Sequence, residues 1–164
     1  MHTLIAYSSK YGATKACAEG IAALLPGQTD LCDLDKATPD LSGYDTVIVG
    51  SSVYMGRARK AVRQFCKAQA GALLGKRLGL FLCCVQDLDK TVSEQMQLAF
   101  AKPLRDHAVA IGALGGQVDY TKLTRFDGMI MNMVAGDLRR KTGKDVISTI
   151  SQERIERFAE LMKG

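Results

Sequence analysis

Residues Thr3–Thr14 read TLIAYSSKYGAT and combine a short apolar run, a polar loop and the start of a helical pattern. Thr3–Tyr7 is mostly apolar, which predicts a buried strand. Ser8–Gly12 is polar, and from Ala13 to Leu25 apolar residues recur at three- and four-residue steps, which predicts a helix. A strand, a short loop and a helix start together predict an anion site. The N–H groups of the first helical turn converge there, and the helix dipole favours negative charge.

Side chains of this loop support an anion site and narrow the choice of anion. Ser9 and Thr14 add hydroxyl donors, and Lys10 adds a positive charge. The loop lacks the G-x-x-x-x-G-K-[ST] pattern, which argues against a Mg-bound triphosphate. Gly12 stands alone, so the G-x-G-x-x-G pattern of a dinucleotide pyrophosphate site is also absent. The acidic residues of a response regulator are missing too. For the loop by itself, an ordinary capped turn stays the alternative.

Length and composition predict one domain that spans residues 1–164. The chain has 164 residues, of which 47% are hydrophobic, enough for a packed core. Its apolar runs are too short to cross a bilayer as a helix, and its first ten residues lack a signal-peptide charge pattern. The five cysteines include no C-x-x-C pair, which predicts a reducing, cytoplasmic environment and no disulfide framework. With only two histidines, a His-based metal site is not expected.

The charge balance favours an acidic binding partner. The net charge is +5, which suits an anionic cofactor, a carboxylated substrate or a membrane surface, although simple solubility explains it as well. The basic residues are scattered and no aromatic ladder accompanies them, so nucleic-acid binding is not predicted.

Strand-like and helix-like segments alternate along the chain. The predicted strands are Thr3–Tyr7, Thr29–Leu34, Thr46–Gly50, Leu78–Val85 and Val109–Val118. The predicted helices are Ala13–Leu25, Lys60–Ala70, Thr91–His107, Asp127–Ala135 and a last helix capped by Ser151. Ser51–Arg59 is predicted to be a loop, and the charged stretch Arg139–Asp145 is predicted to be mobile. This alternation predicts an α/β fold with a doubly wound, five-stranded parallel sheet.

In such sheets, ligands bind beyond the carboxyl ends of the strands, where the strand order reverses. The loops after the first, third and fourth strands are therefore predicted to form one site. The loop after the third strand has small residues, which allow close approach to a planar ligand, and then Tyr54 and Met55, which can cover a ring. The loop after the fourth strand offers backbone groups and Gln86. Ordinary turns with core cysteines are the alternative, and Cys83 and Cys84 lack an activating motif.

Three stretches resemble one known family. The spacing Ser9-Lys10-Tyr11-Gly12-Ala13-Thr14 resembles the phosphate loop of flavodoxins, Ser/Thr-x-x-Gly-x-Thr, which wraps the monophosphate of FMN. GSSVYMG, residues 50–56, resembles the flavin-ring loop of one flavodoxin-like branch. GGQVDYTKLTRFDGMIM, residues 115–131, resembles a segment of menaquinone-dependent protoporphyrinogen oxidases and their uncharacterised relatives. The matching features there are Tyr120 and the pair Phe126-Asp127.

The resemblance implies a flavodoxin-like fold with bound FMN. The residues that it assigns to the cofactor are Ser9, Lys10, Tyr11, Gly12, Ala13, Thr14, Ser52, Val53, Tyr54, Met55, Gly56, Cys84, Val85 and Gln86. No catalytic residue and no metal ligand is predicted. It further implies an oxidoreductase that acts on a small-molecule substrate, with a porphyrinogen as the candidate and a quinone as the acceptor. The alternatives are an electron-transfer flavodoxin that serves a redox protein, and a regulatory module that has lost the flavin.

One segment departs from the oxidases that the chain resembles. Those enzymes carry a Gly-Gly-x-Thr-Asp element and a Trp, whereas this chain has GDLRRKTGKDVIS at residues 136–148 and no Trp. The longer stretch Asp119–Ile147 is basic and rich in methionine. It is predicted to be a lid that receives an anionic apolar molecule or makes peripheral contact with the inner face of a membrane. The alternative is that its methionines simply pack on the sheet.

Overall fold

A parallel sheet forms the centre of the molecule, and the computed structural model describes it within residues 1–85 and 89–164. The parallel strands run in the spatial order β2-β1-β3-β5-β6, and the short strand β4 pairs antiparallel with β3. The strands of this sheet are β1 (His2–Ser8), β2 (Gln28–Asp33), β3 (Thr46–Tyr54), β4 (Arg57–Ala58), β5 (Arg77–Cys83) and β6 (Ala110–Ala113). The predicted doubly wound sheet is confirmed, and its order reverses between β1 and β3.

Helices cover both faces of the sheet. They are α1 (Ala13–Leu24), α2 (Lys60–Ala68), α3 (Ala70–Leu74), α4 (Asp89–Ala99), α5 (Lys102–His107), α6 (Arg125–Thr142) and α7 (Gln152–Lys163). Alternate strand residues point to opposite faces, as the two-residue period of a strand requires. Leu4 joins the core under α2 to α5, whereas Ile5 joins the core under α1 and α7. Burial on both faces explains why the central strands read as continuous apolar runs.

The prediction of a loop over Ser51–Arg59 is wrong for its first part. β3 continues to Tyr54 because β5 runs alongside it, with Ser51 paired to Leu82 and Ser52 paired to Cys83. The chain then reverses into β4 and forms a hairpin. The predicted loop after the third strand is therefore the end of β3 and the turn of a hairpin.

The predicted helix Thr91–His107 is two helices, α4 and α5. Ala101 between them has an extended backbone, with φ −60° and ψ 146°. Pro103 lies in the first turn of α5, where its missing N–H is not needed. A proline at this position cannot continue the hydrogen bonding of a preceding helix, so α4 ends before it.

The predicted fifth strand, Val109–Val118, splits into β6 and a separate strand β7 (Gln117–Asp119). Gly115 lies at the break with φ 87°, and a Cβ there would lie 1.9 Å from the carbonyl oxygen of Thr149. β7 pairs antiparallel with β8 (Val146–Ser148) in a two-stranded ribbon. A 3-10 turn (Tyr120–Lys122) and α6 lie between the two ribbon strands.

Helix α6 is longer than the predicted Asp127–Ala135. It begins after Thr124, whose side chain accepts a hydrogen bond from the backbone N–H of Asp127, and it runs to Thr142. The stretch Arg139–Asp145, which was predicted to be mobile, is helical as far as Thr142. An ion pair between Arg139 and Asp145 (2.6 Å) ties the end of the helix down. None of the helices in the described ranges has the length and apolar character to cross a membrane.

Candidate functional site

The loop between β1 and α1 leaves the start of α1 open to an anion. Gly12 is the N-cap residue with a left-handed φ of 93°, and its N–H donates to Ser9 Oγ over 3.0 Å. No side chain caps the helix, and its first turn holds no acidic residue. The N–H groups of that first turn therefore remain available to a ligand.

The hairpin between β3 and β4 forms a second wall. Met55 and Gly56 both have positive φ, 51° and 74°, which is the backbone of a two-residue type I′ turn. Tyr54 is paired with Arg57 in this hairpin, and Met55 at its tip is 66% exposed. A methionine with positive φ is uncommon, so this turn holds a strained residue at the edge of the site.

The end of β5 forms a third wall. Gly116 lies against it so closely that a Cβ would be 2.6 Å from the carbonyl carbon of Cys84. Only glycine fits this approach. The thiol of Cys83 is buried next to that of Cys17, and the hydrogen bond between them together with burial holds the pKa of Cys83 well above its ordinary value. Cys83 is therefore a neutral thiol rather than a nucleophile.

These three walls enclose a pocket of about 320 Å³. Its residues come from the three strand ends, from α4, from β7 and from α6. The lining consists of Ser9, Lys10, Tyr11, Ala13, Ser52, Val53, Tyr54, Met55, Gly56, Cys83, Cys84, Val85, Gln95, Gly116, Gln117, Val118, Ile130, Met131 and Val134. The pocket lies at the carboxyl ends of β1, β3 and β5, next to the reversal of strand order, as the topology requires.

A buried carboxylate on α6 joins two of the walls. Asp127 accepts hydrogen bonds from Tyr11 Oη (2.6 Å) and Tyr54 Oη (2.5 Å), and it pairs with Lys10 Nζ at 3.0 Å. The ammonium group of Lys10 also lies over the ring of Tyr54, 3.4 Å from its centroid. One carboxylate thus ties helix α6 to the β1–α1 loop and to the β3–β4 hairpin.

The ionisation of this cluster follows from its contacts. Hydrogen bonds from Tyr11, Tyr54 and Lys10 hold the pKa of Asp127 far below its ordinary value. Burial disfavours the charge on Lys10, but its hydrogen bonds to Asp127, Tyr54 and Tyr11 outweigh burial and raise its pKa. Burial and the contact with Asp127 raise the pKa of Tyr11, which stays a neutral donor. The pair is therefore ionised around neutral pH, and the charge of Lys10 is compensated within the protein.

A family model described as a flavodoxin domain matches residues 4–145. The chain belongs to the flavodoxin domain family. No curated protein matches the chain. The family and its flavodoxin neighbours agree with the predicted cofactor, since flavodoxin domains are FMN-binding domains.

Solved flavodoxin structures share the fold. Flavodoxin 2 of Bacillus cereus is 19% identical with a TM-score of 0.59, and the match covers 99% of this chain and 97% of that one. The flavodoxin of Megasphaera elsdenii is 20% identical with a TM-score of 0.55, covering 70% and 85%. A Fusobacterium nucleatum flavodoxin bound to flavin mononucleotide is 12% identical with a TM-score of 0.53, covering 99% and 96%. At these identities the likeness shows the fold.

Most of the residues predicted to bind the cofactor meet at this flavodoxin-type pocket. Those that line it are Ser9, Lys10, Tyr11, Ala13, Ser52, Val53, Tyr54, Met55, Gly56, Cys84 and Val85. Gly12 and Thr14 belong to the first loop but do not line the pocket itself. Gln86 lies outside the described residues.

Several residues that line the pocket were not predicted from the sequence to do so. Cys83 was assigned to the core, and Gln95 lies on a helix that gave no sign of facing a ligand. Gly116 to Val118 and the α6 residues reach the pocket only because the β7–β8 ribbon turns back over it. Two signals pointed to this part of the chain: the resemblance of residues 115–131 to the oxidases, and the basic, methionine-rich composition that predicted a lid over Asp119–Ile147.

Unpaired polar atoms test whether the site fits FMN. Five buried side-chain oxygens lack a hydrogen-bond partner among the described residues, and three of them belong to Thr14, Ser52 and Gln95. Ser52 and Gln95 line the pocket, and Thr14 follows the open helix start. Buried polar groups are normally paired, so this clustering indicates a ligand with polar edges. A phosphate at the helix start and a polar ring edge in the pocket would satisfy them, so the residues fit FMN.

Proposed function

We propose that the pocket binds FMN and that the protein is an FMN-dependent oxidoreductase. The observation that carries the proposal is the uncapped start of α1 with the unpaired hydroxyl of Thr14, directly beside the 320 Å³ pocket. An anion there completes the helix terminus and satisfies a buried hydroxyl at once. Bound isoalloxazine would supply hydride and single-electron chemistry.

The chain's own residues divide the work of binding. Residues 9–14 hold the phosphate through backbone N–H groups and hydroxyls. Residues 52–56 flank the ring, with small residues near its plane and the Tyr54 and Met55 side chains at its edge. Cys84 and Val85 border the polar edge of the ring through their backbone. Gln95 adds a side-chain oxygen.

Helix α6 supports action on a small organic substrate. Ile130, Met131 and Val134 give the pocket an apolar wall opposite the flavin loops. Asp127 anchors this wall to both loops. A flavin in the pocket would therefore share an enclosed apolar space with its substrate rather than present an open edge.

The resemblance of residues 115–131 to menaquinone-dependent protoporphyrinogen oxidases supports a finer proposal. The resembling segment contributes five of the pocket residues, namely Gly116, Gln117, Val118, Ile130 and Met131. A porphyrinogen is the candidate substrate, with a quinone as the electron acceptor, and a quinone would bring the protein to the inner face of a membrane. All five cysteines are free thiols, which supports a reducing cytoplasmic location.

A flavodoxin-type electron carrier is the second candidate. It is supported by the exposed tip of the β3–β4 hairpin, where Met55 borders the pocket and is 66% exposed. A partner protein could approach the flavin there without entering the enclosed space under α6.

The visible spectrum and the identity of the released cofactor test the proposal. We expect the purified protein to bind one FMN per chain, which heat releases and chromatography identifies. Anaerobic reduction of the bound flavin by protoporphyrinogen, and its reoxidation by a quinone, would support the finer proposal. Recovery of FAD, or no binding after reconstitution with excess FMN, would overturn the proposal.

A further inference from the structure

The positive charge of this protein is concentrated in one segment. Residues 46–86 carry seven of the 22 Lys and Arg and none of the 17 acidic residues. The rest of the chain holds 15 basic and 17 acidic residues, so it is slightly negative although the whole protein is at +5. The basic residues occur along the whole chain, but the net positive charge comes from this one segment, which begins with β3 and extends just past β5.

The fold gathers four of these cations around a groove beside the flavin pocket. The groove has a volume of about 350 Å³ and lies between the β3–β4 hairpin and the start of α2. Its cations are Arg57, Arg59, Lys60 and Arg63. Tyr54 and Met55 line both the groove and the flavin pocket, so one layer of side chains separates the two.

Among the side chains that the structure describes, one of the four cations has an acidic partner. Arg59 pairs with Asp35, which also lines the groove and accepts a hydrogen bond from Ser8 Oγ at 2.6 Å. Arg57, Lys60 and Arg63 are exposed and form no ion pair with any side chain that the structure describes, that is, outside residues 86–91. Lys60 and Arg63 lie one helical turn apart, and Lys67 extends the same exposed face of α2.

We propose that this groove and the Met55 tip form the docking surface for an acidic redox protein. An exposed row of uncompensated cations around one large apolar side chain matches the polar rim and apolar centre of a transient interface. Charge complementarity of this kind steers the encounter of two proteins. The proposal rests on the proposed function, because the flavin in the adjoining pocket is what such a partner would serve.

Other anionic partners fit the groove less well. A small anion would need donors that enclose it, whereas the three free cations are exposed. A nucleic acid would need an aromatic stacking platform, but the ring of Tyr54 is covered by Lys10 at 3.4 Å. A membrane would need an extended apolar face, and Met55 is the one large exposed apolar side chain among the residues that line the groove.

Binding to a plant-type ferredoxin, a small acidic iron–sulfur protein, tests the proposal. Calorimetry of the FMN-loaded protein should give a Kd that rises at least tenfold between ~20 mM and ~300 mM salt. At low salt, Lys60→Glu/Arg63→Glu should raise this Kd by about tenfold or more, and Arg57→Glu alone should raise it in the same direction. The matched control Lys102→Glu/Lys163→Glu reverses two lysines on helices outside the groove and should stay within about twofold of the parent.

Three outcomes would overturn the proposal. The first is a parent protein that shows no salt-dependent binding of ferredoxin. The second is equal weakening by the groove variants and the control. The third is ferredoxin binding that the groove variants leave unchanged while they abolish binding to vesicles of anionic lipid or to a DNA oligonucleotide.

The same titrations separate this proposal from the FMN proposal. FMN affinity should be the same in the parent and all variants, because no substituted side chain lines the flavin pocket. Ferredoxin binding is also measured on the flavin-free protein, so a loss of docking is recorded whether or not FMN binds.

Discussion

Thr14 and Thr3 each carry a fully buried hydroxyl without a hydrogen-bond partner among the described residues, but only Thr14 belongs to the cofactor loop. We expect Thr14→Ala to raise the Kd of FMN by roughly 10- to 100-fold, since a hydrogen bond to a charged group contributes about 1.5–3 kcal/mol. The flavin-free variant should lose about 1 kcal/mol at most, the cost of deleting one buried methyl group, because the Thr14 hydroxyl has only the weakly bonding thiol of Cys83 beside it. Fluorescence titration with FMN and thermal unfolding measure the two effects.

The matched control is Thr3→Ala, which removes an equally buried hydroxyl from β1. It should leave FMN affinity unchanged. Equal affinities for all three proteins would mean that the Thr14 hydroxyl does not meet the phosphate.

Asp127 makes the stability of the flavin-free protein depend on pH. Its folded-state pKa lies below the unfolded value of about 3.9, so the ionised carboxylate stabilises the fold above that pH, and this contribution is lost as the pH falls. Asp127→Asn should therefore lower the melting temperature at neutral pH. The gap to the parent should shrink as the pH falls from ~5 to ~2.

Asp137→Asn is the control for this measurement, because Asp137 lies on the same helix in an exposed ion pair with Arg140. Exposed pairs add little stability, so its profile should follow that of the parent. Profiles of Asp127→Asn and the parent that stay parallel down to acidic pH would contradict the assigned role of Asp127.

At the scale of single residues, local structure was predictable from the sequence, whereas contacts between distant residues were not. The strand, the loop and the start of α1 were predicted correctly, because these three parts are contiguous in the chain. Tyr54 was predicted to cover a ring, and its hydroxyl also donates a hydrogen bond to Asp127, 73 residues away, which was not predicted. No local pattern encodes a contact over that distance, although the pair Phe126-Asp127 had marked the position through a family resemblance.

Two glycines, one inside helix α6 and one that caps its end, should respond in opposite ways to replacement by alanine. Gly128 lies in the helix with open space around its Cα, so Gly128→Ala should stabilise the protein by roughly 0.5–1 kcal/mol. Gly143 ends the helix with a left-handed φ of 64°, so Gly143→Ala should destabilise it by about 1 kcal/mol. Urea unfolding measures both. Effects of the same sign would contradict the helix boundaries described above.

Helices and strands were predictable where the spacing of apolar residues and the positions of glycine and proline indicated the same boundaries. The apolar strands and α1, α2 and α7 followed from two-residue and 3.6-residue patterns. The end of α6 was missed because the charged run from Arg139 to Lys141 looked like a solvated loop. In the structure those charges pair within the segment, Arg139 with Asp145 and Arg140 with Asp137, and Gly143 provides the helix stop.

The whole molecule protects its thiols unequally, which gives a test of the packing. Cys32 on β2 is half-buried, while the other four cysteines are buried, and burial raises the pKa of Cys66 to about 12. Iodoacetamide at pH ~8 should label Cys32 first, as judged by mass spectrometry of peptides. All five should react in ~6 M urea, when the fold is lost. Early labelling of Cys66 would show that the core under α2 is packed differently.

At the scale of the whole molecule, the position of the site was predictable from strand order alone. A doubly wound sheet brings the ends of β1, β3 and β5 to one edge, whatever their side chains are. The covering wall was not predictable, because it depends on how the chain leaves the sheet after β6. That path is set by the backbone of Gly115 and by the pairing of β7 with β8, which lie far apart in sequence.

The pairing of β7 with β8 separates the central sheet from changes in the length and sequence of α6. Asp119 is paired with Val146, and the N–H of Tyr120 donates to the carbonyl of Asp145 over 2.8 Å. The segment that contains α6 therefore leaves the ribbon and returns to it at neighbouring positions. Because β7 and β8 are paired, the two ends of the segment between them, residues 120–145, stay together whatever the length of that segment. We therefore expect insertions or deletions in α6, or its replacement by another helix, to leave the register of the sheet unchanged. A sequence change in α6 therefore alters one wall of the candidate pocket and leaves the three strand ends on its other sides in place.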